Sequence, residues 1–159
     1  MLGGVLIKKT DRKKFSRDVE EFFLKQTGIK IKYDELERDN YGKILPFSGW
    51  QIGVSNSEDF LAVAVFPASN VGIDIEASSH EKKLSKRLLE KVLRPDEKMV
   101  DGSFLNNFVI KEAYSKYLGV GLSMGFSKYD ANDLLLQEGV VWKKYSTKDY
   151  SCYVVRDII

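Results

Sequence analysis

The stretch Val71-Gly72-Ile73-Asp74-Ile75-Glu76 alternates strictly between an apolar residue and a glycine or an acid. That period of two is the mark of a β-strand, with successive side chains on opposite faces. Val71, Ile73 and Ile75 share a face directed at a core. Gly72, Asp74 and Glu76 share the other, with the two acids about 7 Å apart at their Cα atoms. Both acids are poor strand formers, and like charges on one face repel. A hard divalent cation offsets that cost, because magnesium accepts carboxylate oxygens together with the phosphate oxygens of a substrate. Gly72 on the same face reads as room for a ligand to approach the backbone. Taken alone, the hexapeptide also reads as an edge strand with a solvated acidic face.

Upstream, residues 2–8 read as a short first strand and 15–26 as a helix, with Phe15, Val19, Phe22 and Phe23 at helical spacing and Gly28 as its stop. Residues 29–40 alternate weakly before a turn at Tyr41-Gly42-Lys43. Residues 50–55 and 60–66 read as two strands joined across Asn56-Ser57-Glu58-Asp59. Downstream, 81–92 reads as a basic amphipathic helix, broken at Arg94-Pro95 because proline disfavours helix at the residue before it. Residues 103–118 are the clearest helix, stopped by Gly119. Residues 134–145, turning at Glu138-Gly139, and 150–155 supply closing strands. The mixture has no steady βαβ rhythm and no glycine-rich phosphate loop, so the fold class is α+β.

The helix at 103–118 carries a second charged cluster. Glu112 and Lys116 are four residues apart, on one face and one turn apart. They offer a carboxylate for a metal or a base and an ammonium for a phosphate; an ordinary surface ion pair has the same spacing. Lys111 projects to a neighbouring face.

Composition bounds the rest. The chain has 159 residues, 43% of them hydrophobic, which supports one compact core and not two large domains. A net charge of +2 gives no ground for a nucleic-acid partner. Cys152 is the only cysteine, which excludes an intramolecular disulfide and a thiolate metal site. The apolar run at the start is too short for a signal peptide or a membrane span, so a cytoplasmic protein is expected. The only histidine, His80, lies in a polar stretch and reads as a surface residue.

Taken in order, these segments resemble the 4′-phosphopantetheinyl transferase superfamily. Its signatures are (V/I)G(V/I)D(I/V)E and, some tens of residues later, W-x-x-K-E-A-x-x-K-x-x-G-x-G-L. The chain has VGIDIE at 71–76 and FVIKEAYSKYLGVGL at 108–122. A G-K-P turn followed by an S-H-S strand end corresponds to Gly42-Lys43 and to Ser55-Asn56-Ser57. The resemblance departs at Phe108 for the tryptophan, Ile44 for the proline and Asn56 for the histidine.

The resemblance implies a fold of two small similar α+β halves related by a pseudo-two-fold, the long single-chain type in shortened form. The halves would be 1–70 and 71–159, with the metal site on the second, in a monomer. It implies Asp74, Glu76 and Glu112 as magnesium ligands, Glu112 and Lys116 as catalytic residues, and Lys116, Lys43, Ser55 and Asn56 at the coenzyme A phosphates. Of the basic residues at the first helix, Lys13 and Arg17 are candidates for the 3′-phosphate. The implied reaction moves the phosphopantetheine arm of coenzyme A to a serine of an apo acyl or peptidyl carrier protein and releases 3′,5′-ADP. The alternative is a weak or inactive member that binds coenzyme A or a carrier protein. The basic stretch 82–98 is expected along the carrier-docking surface.

Overall fold

The computed structural model describes residues 3–158. Its strands form two three-stranded antiparallel sheets. The first holds β1 (Gly4–Lys9), β2 (Trp50–Ser57) and β3 (Phe60–Pro67) in the order β1-β3-β2. The second holds β4 (Val71–Ala77), β5 (Val140–Lys144) and β6 (Tyr150–Asp157) in the order β4-β6-β5. Each sheet receives its strands in the same sequence: edge, opposite edge, centre. Each also sends a helix between its first two strands, α1 (Phe15–Thr27) in one and α3 (Phe104–Leu118) in the other. The architecture is α+β, as the strand and helix patterns require.

Three apolar layers hold it together. Val19 and Phe23 of α1 pack on Ile52, Leu61, Val63 and Val65. Leu105, Val109, Ile110, Ala113 and Tyr114 of α3 pack on Tyr153 and Val155. Between the sheets, Ala62 and Ala64 meet Val71, Ile73, Ile75, Cys152 and Val154. The alternation of β4 is thus resolved: its aliphatic face joins the inter-sheet layer and its acidic face turns toward α3. Gly53 of β2 makes the close approach possible, since a Cβ there would lie 3.0 Å from Ile73 Cγ2.

Some local readings change. The strand expected from residue 2 begins at Gly4, and Leu2 lies outside the described residues. Residues 29–40 form no strand, only a short 3-10 helix at Tyr33–Glu35. β2 continues through Ser57, so the turn to β3 is Glu58-Asp59 alone, with Glu58 at φ 54°. The helix expected over 81–92 is two pieces, a 3-10 helix at Ser78–Lys83 and α2 (Lys86–Val92). Ser85 divides them because its side chain accepts from Leu88 N at 3.1 Å, which makes it a helix start and not a helix interior. Residues 134–137 close the short helix α4 (Ala131–Leu134), and only Val140–Lys144 is strand.

Candidate functional site

β2 and β4 are the inner edges of their sheets and run side by side. Their seam is made by serine hydroxyls. Ser55 Oγ accepts from Ile75 N at 3.2 Å, and Ser57 Oγ accepts from Ala77 N at 2.9 Å. The same hydroxyls donate to the acids of β4, Ser55 to Asp74 Oδ1 at 3.0 Å and Ser57 to Glu76 Oε1 at 2.8 Å.

α3 closes the other side of these acids. Gly72 is the reason it can come so near: a Cβ there would lie 2.0 Å from Ala113 O and 2.5 Å from Tyr117 N. This corrects the reading of Gly72 as space for a ligand, because helix backbone occupies that space. With α3 seated, Lys116 Nζ donates to Asp74 Oδ1 at 2.8 Å. The second oxygen, Asp74 Oδ2, is buried with no hydrogen-bond partner among the described residues. Burial raises the Asp74 pKa, against the pull of Lys116. For Lys116, burial works against the charge, but Asp74, Glu112 and Glu76 outweigh it and the pKa is raised.

Glu112 joins the same field. Its pKa is raised to about 7, first by burial and then by the charge of Asp74, with Lys116 opposing and Glu76 adding to the rise. Glu112 on α3 thus feels the charges of both strand acids, Asp74 more than Glu76.

The surrounding polar residues are placed as follows. Asn56 is exposed on the β2 face opposite Ser55 and Ser57. Lys43 reaches across from the first sheet's side of the molecule. Its Nζ donates to Lys116 O at 2.7 Å, Tyr117 O at 3.0 Å and Val71 O at 3.2 Å, capping the C-terminus of α3. Burial lowers its pKa to about 8, with Asp39 and Asp157 opposing. Lys43 and Lys116 line a cleft of about 150 Å³ together with Arg38, Tyr41 and Gly72. Sequence reasoning did not single out Arg38, whose Nη1 donates to Gly42 O at 2.9 Å. Lys13 and Arg17 do not line this cleft. Lys13 N is bound by Asp11 Oδ1 at 3.0 Å, and Arg17 faces a separate groove beside Leu24, Ile31 and Phe47.

His80 is not the bystander its polar neighbourhood implied. Nδ1 lies against Glu76 Oε1 and Nε2 is 2.6 Å from Glu58 Oε1. Hydrogen bonds donated to Glu76 and then to Glu58 raise its pKa. Its place four residues after Glu76 is visible in the sequence; its second partner, Glu58, 22 residues upstream on the other sheet, is not.

Lys111 serves another purpose. It is fully buried, and its Nζ donates to Glu97 Oε1 at 2.6 Å, Val92 O at 2.6 Å and Phe126 O at 3.1 Å. The pair ties α3 to the end of α2 and to the segment after α3.

The donor set suits a hard cation. Asp74 Oδ2 is an orphaned buried acceptor, and Glu112 has no hydrogen-bond partner for its carboxylate among the described residues. Among the described residues no three His, Cys, Asp or Glu side chains are drawn tightly enough to cage an ion unaided. Magnesium does not need such a cage, since it is commonly held by one or two carboxylates, waters and substrate phosphates.

Fold and site together define a two-sheet α+β protein with acids and a lysine gathered at the seam between the sheets. A family model described as the 4′-phosphopantetheinyl transferase superfamily matches residues 70–157. That is more than half of the chain, and the chain belongs to this superfamily. No individual curated protein matches it significantly. Among the described residues no helix is long and apolar enough to cross a membrane.

Proposed function

We propose that the chain transfers the 4′-phosphopantetheine moiety of coenzyme A to a serine of an apo acyl or peptidyl carrier protein, releasing 3′,5′-ADP. The observation that carries this reading is that α3 covers the acidic face of β4, with Lys116 bonded to Asp74 and Glu112 within the electrostatic reach of Asp74 and Glu76, in a segment that matches the superfamily. The halves would be 1–70 and 71–159, each contributing to the seam, in a monomer.

Magnesium held by Asp74, Glu76 and Glu112 would polarise the pyrophosphate of coenzyme A and neutralise part of its charge. The remaining work falls to the side chains. Lys116 steadies the charge that builds on the departing phosphate. Glu112 takes the proton of the carrier serine with an oxygen that does not hold the cation. The serine Oγ bonds to the phosphorus nearest the pantetheine, the phosphoanhydride bond breaks, and its electron pair leaves with 3′,5′-ADP.

A second reading is a member that binds coenzyme A or a carrier but turns over weakly. Two observations favour it: Asn56 is exposed, and the Lys43 ammonium is committed to three carbonyls. One experiment separates the readings. The chain is incubated with coenzyme A, magnesium and a panel of apo carriers, and each carrier is weighed intact. Transfer adds the mass of one phosphopantetheine arm to a carrier. Coenzyme A binding with no mass gain on any carrier supports the second reading.

A further inference from the structure

Both acids of β4 are held by the same device. Asp74 Oδ1 takes Ser55 Oγ at 3.0 Å and Lys116 Nζ at 2.8 Å. Glu76 Oε1 takes Ser57 Oγ at 2.8 Å and lies against His80 Nδ1. In each case a serine of β2 and a nitrogen side chain share one oxygen. The other oxygens, Asp74 Oδ2 and Glu76 Oε2, have no partner among the described residues.

His80 is itself held from behind, with Nε2 2.6 Å from Glu58 Oε1. Glu58 sits in the β2–β3 turn in the left-handed region at φ 54°, so it belongs to the first sheet while Glu76 and His80 belong to the second. Glu58, His80 and Glu76 thus form a chain of contacts across the seam, parallel to the one Ser57 makes.

We infer that His80, anchored by Glu58, is a positioning residue that fixes Glu76 by one oxygen and leaves Oε2 as the oxygen offered to the cation. The inference rests on the reading of Glu76 as a metal ligand. A glutamate partly open to solvent beside Asp74 otherwise swings away from the like charge. A histidine clamp pays that ordering cost before the ion arrives. Partners that orient a ligand in this way commonly govern metal affinity without touching the metal.

The test is a titration with manganese as the probe, following free Mn²⁺ by electron paramagnetic resonance at saturating coenzyme A. Wild type, His80→Ala, His80→Asn and Glu58→Gln are compared, with Tm and metal-free coenzyme A affinity measured for each. His80→Ala is expected to weaken Mn²⁺ binding about tenfold or more. Glu58→Gln should weaken it less, and His80→Asn should recover part of the loss, with Tm and metal-free affinity unchanged. Equal Mn²⁺ affinity in wild type and His80→Ala overturns the inference alone. So does a loss matched by falls in Tm and metal-free coenzyme A affinity, which makes His80 merely structural. If wild type itself binds no Mn²⁺ beside coenzyme A, the metal reading falls first and the inference with it.

Discussion

Lys116 and Asp74 share a hydrogen bond of 2.8 Å that uses only one carboxylate oxygen, while Asp74 Oδ2 stays buried and unpaired among the described residues. An unsatisfied buried acceptor costs about 1–3 kcal/mol. The cost is tolerable where a cation supplies the missing partner, and it is one of the few features here that point to a ligand independently of any family.

The seating of α3 on β4 makes Gly72 irreplaceable. An added methyl would strike the backbone at Ala113 and Tyr117, neither of which can turn aside. Gly72→Ala should lose about 3 kcal/mol, the upper part of the overpacking range. Gly102→Ala serves as the comparison, because at φ 81° with open space around it the only cost is the left-handed backbone, about 1 kcal/mol. Urea unfolding of the two variants measures the difference.

The buried pair Lys111 and Glu97 should act on stability and not on ligand affinity. Both side chains are 0% exposed, so Lys111→Ala strands a buried carboxylate at a cost of about 3–5 kcal/mol. Glu97→Gln combined with Lys111→Met should recover part of that loss, because the stranded charge is gone; the recovery is incomplete because the single amide oxygen can accept from Asn107 Nδ2 or from Arg94 N but not from both. Denaturant midpoints test this, alongside coenzyme A affinity measured where each variant is folded.

Glu112 predicts the pH dependence of the metal-free protein. Its folded pKa of about 7 lies above the ordinary 4.5. Between those values the folded state binds the extra proton, so stability should fall as pH rises from 4.5 to 7. Glu112→Gln should make that falling limb shallower, leaving the part that the raised pKa values of Asp74 and His80 contribute. A saturating divalent cation should flatten it as well, because it favours the ionised carboxylate. Thermal melts across the range in chelator and in magnesium give the answer.

The basic stretch after β4 is exposed at Lys82, Lys83, Lys86, Arg87, Lys91, Arg94 and Lys98. On the carrier-docking reading, Lys86→Glu with Arg87→Glu slows association with an acidic carrier protein and leaves turnover at saturating carrier unchanged. The wild-type association rate should fall with added salt. A rate indifferent to both salt and charge reversal removes this surface from consideration.

Much of the architecture was readable because periodicity and stop residues coincide. β4 shows strict alternation, and α1 and α3 end at Gly28 and Gly119, both left-handed in the structure. The acids and Lys116 were readable from their spacing, since strand and helix periods fix which side chains share a face. What escaped was non-local. Nothing in the sequence around Gly72 says that helix backbone, and not a ligand, fills the space beside it. Ser85 reads as one more polar position until its hydroxyl is seen capping α2. Lys43 looks like a free cation, but it caps α3 from 73 residues away. His80 was hidden because its second partner, Glu58, arrives from the other sheet.

The central claim is that Asp74, Glu76 and Glu112 together hold a cation against the pyrophosphate of coenzyme A. The most direct measurement is the phosphorus magnetic resonance spectrum of coenzyme A bound to the chain, with a trace of Mn²⁺ as a broadening probe. Both pyrophosphate signals should broaden strongly and the 3′-phosphate signal much less. Asp74→Asn and Glu112→Gln, at matched coenzyme A saturation, should abolish the protein-dependent part of that pattern. Equal broadening of all three phosphorus signals, or a pattern unchanged in both variants, contradicts the account.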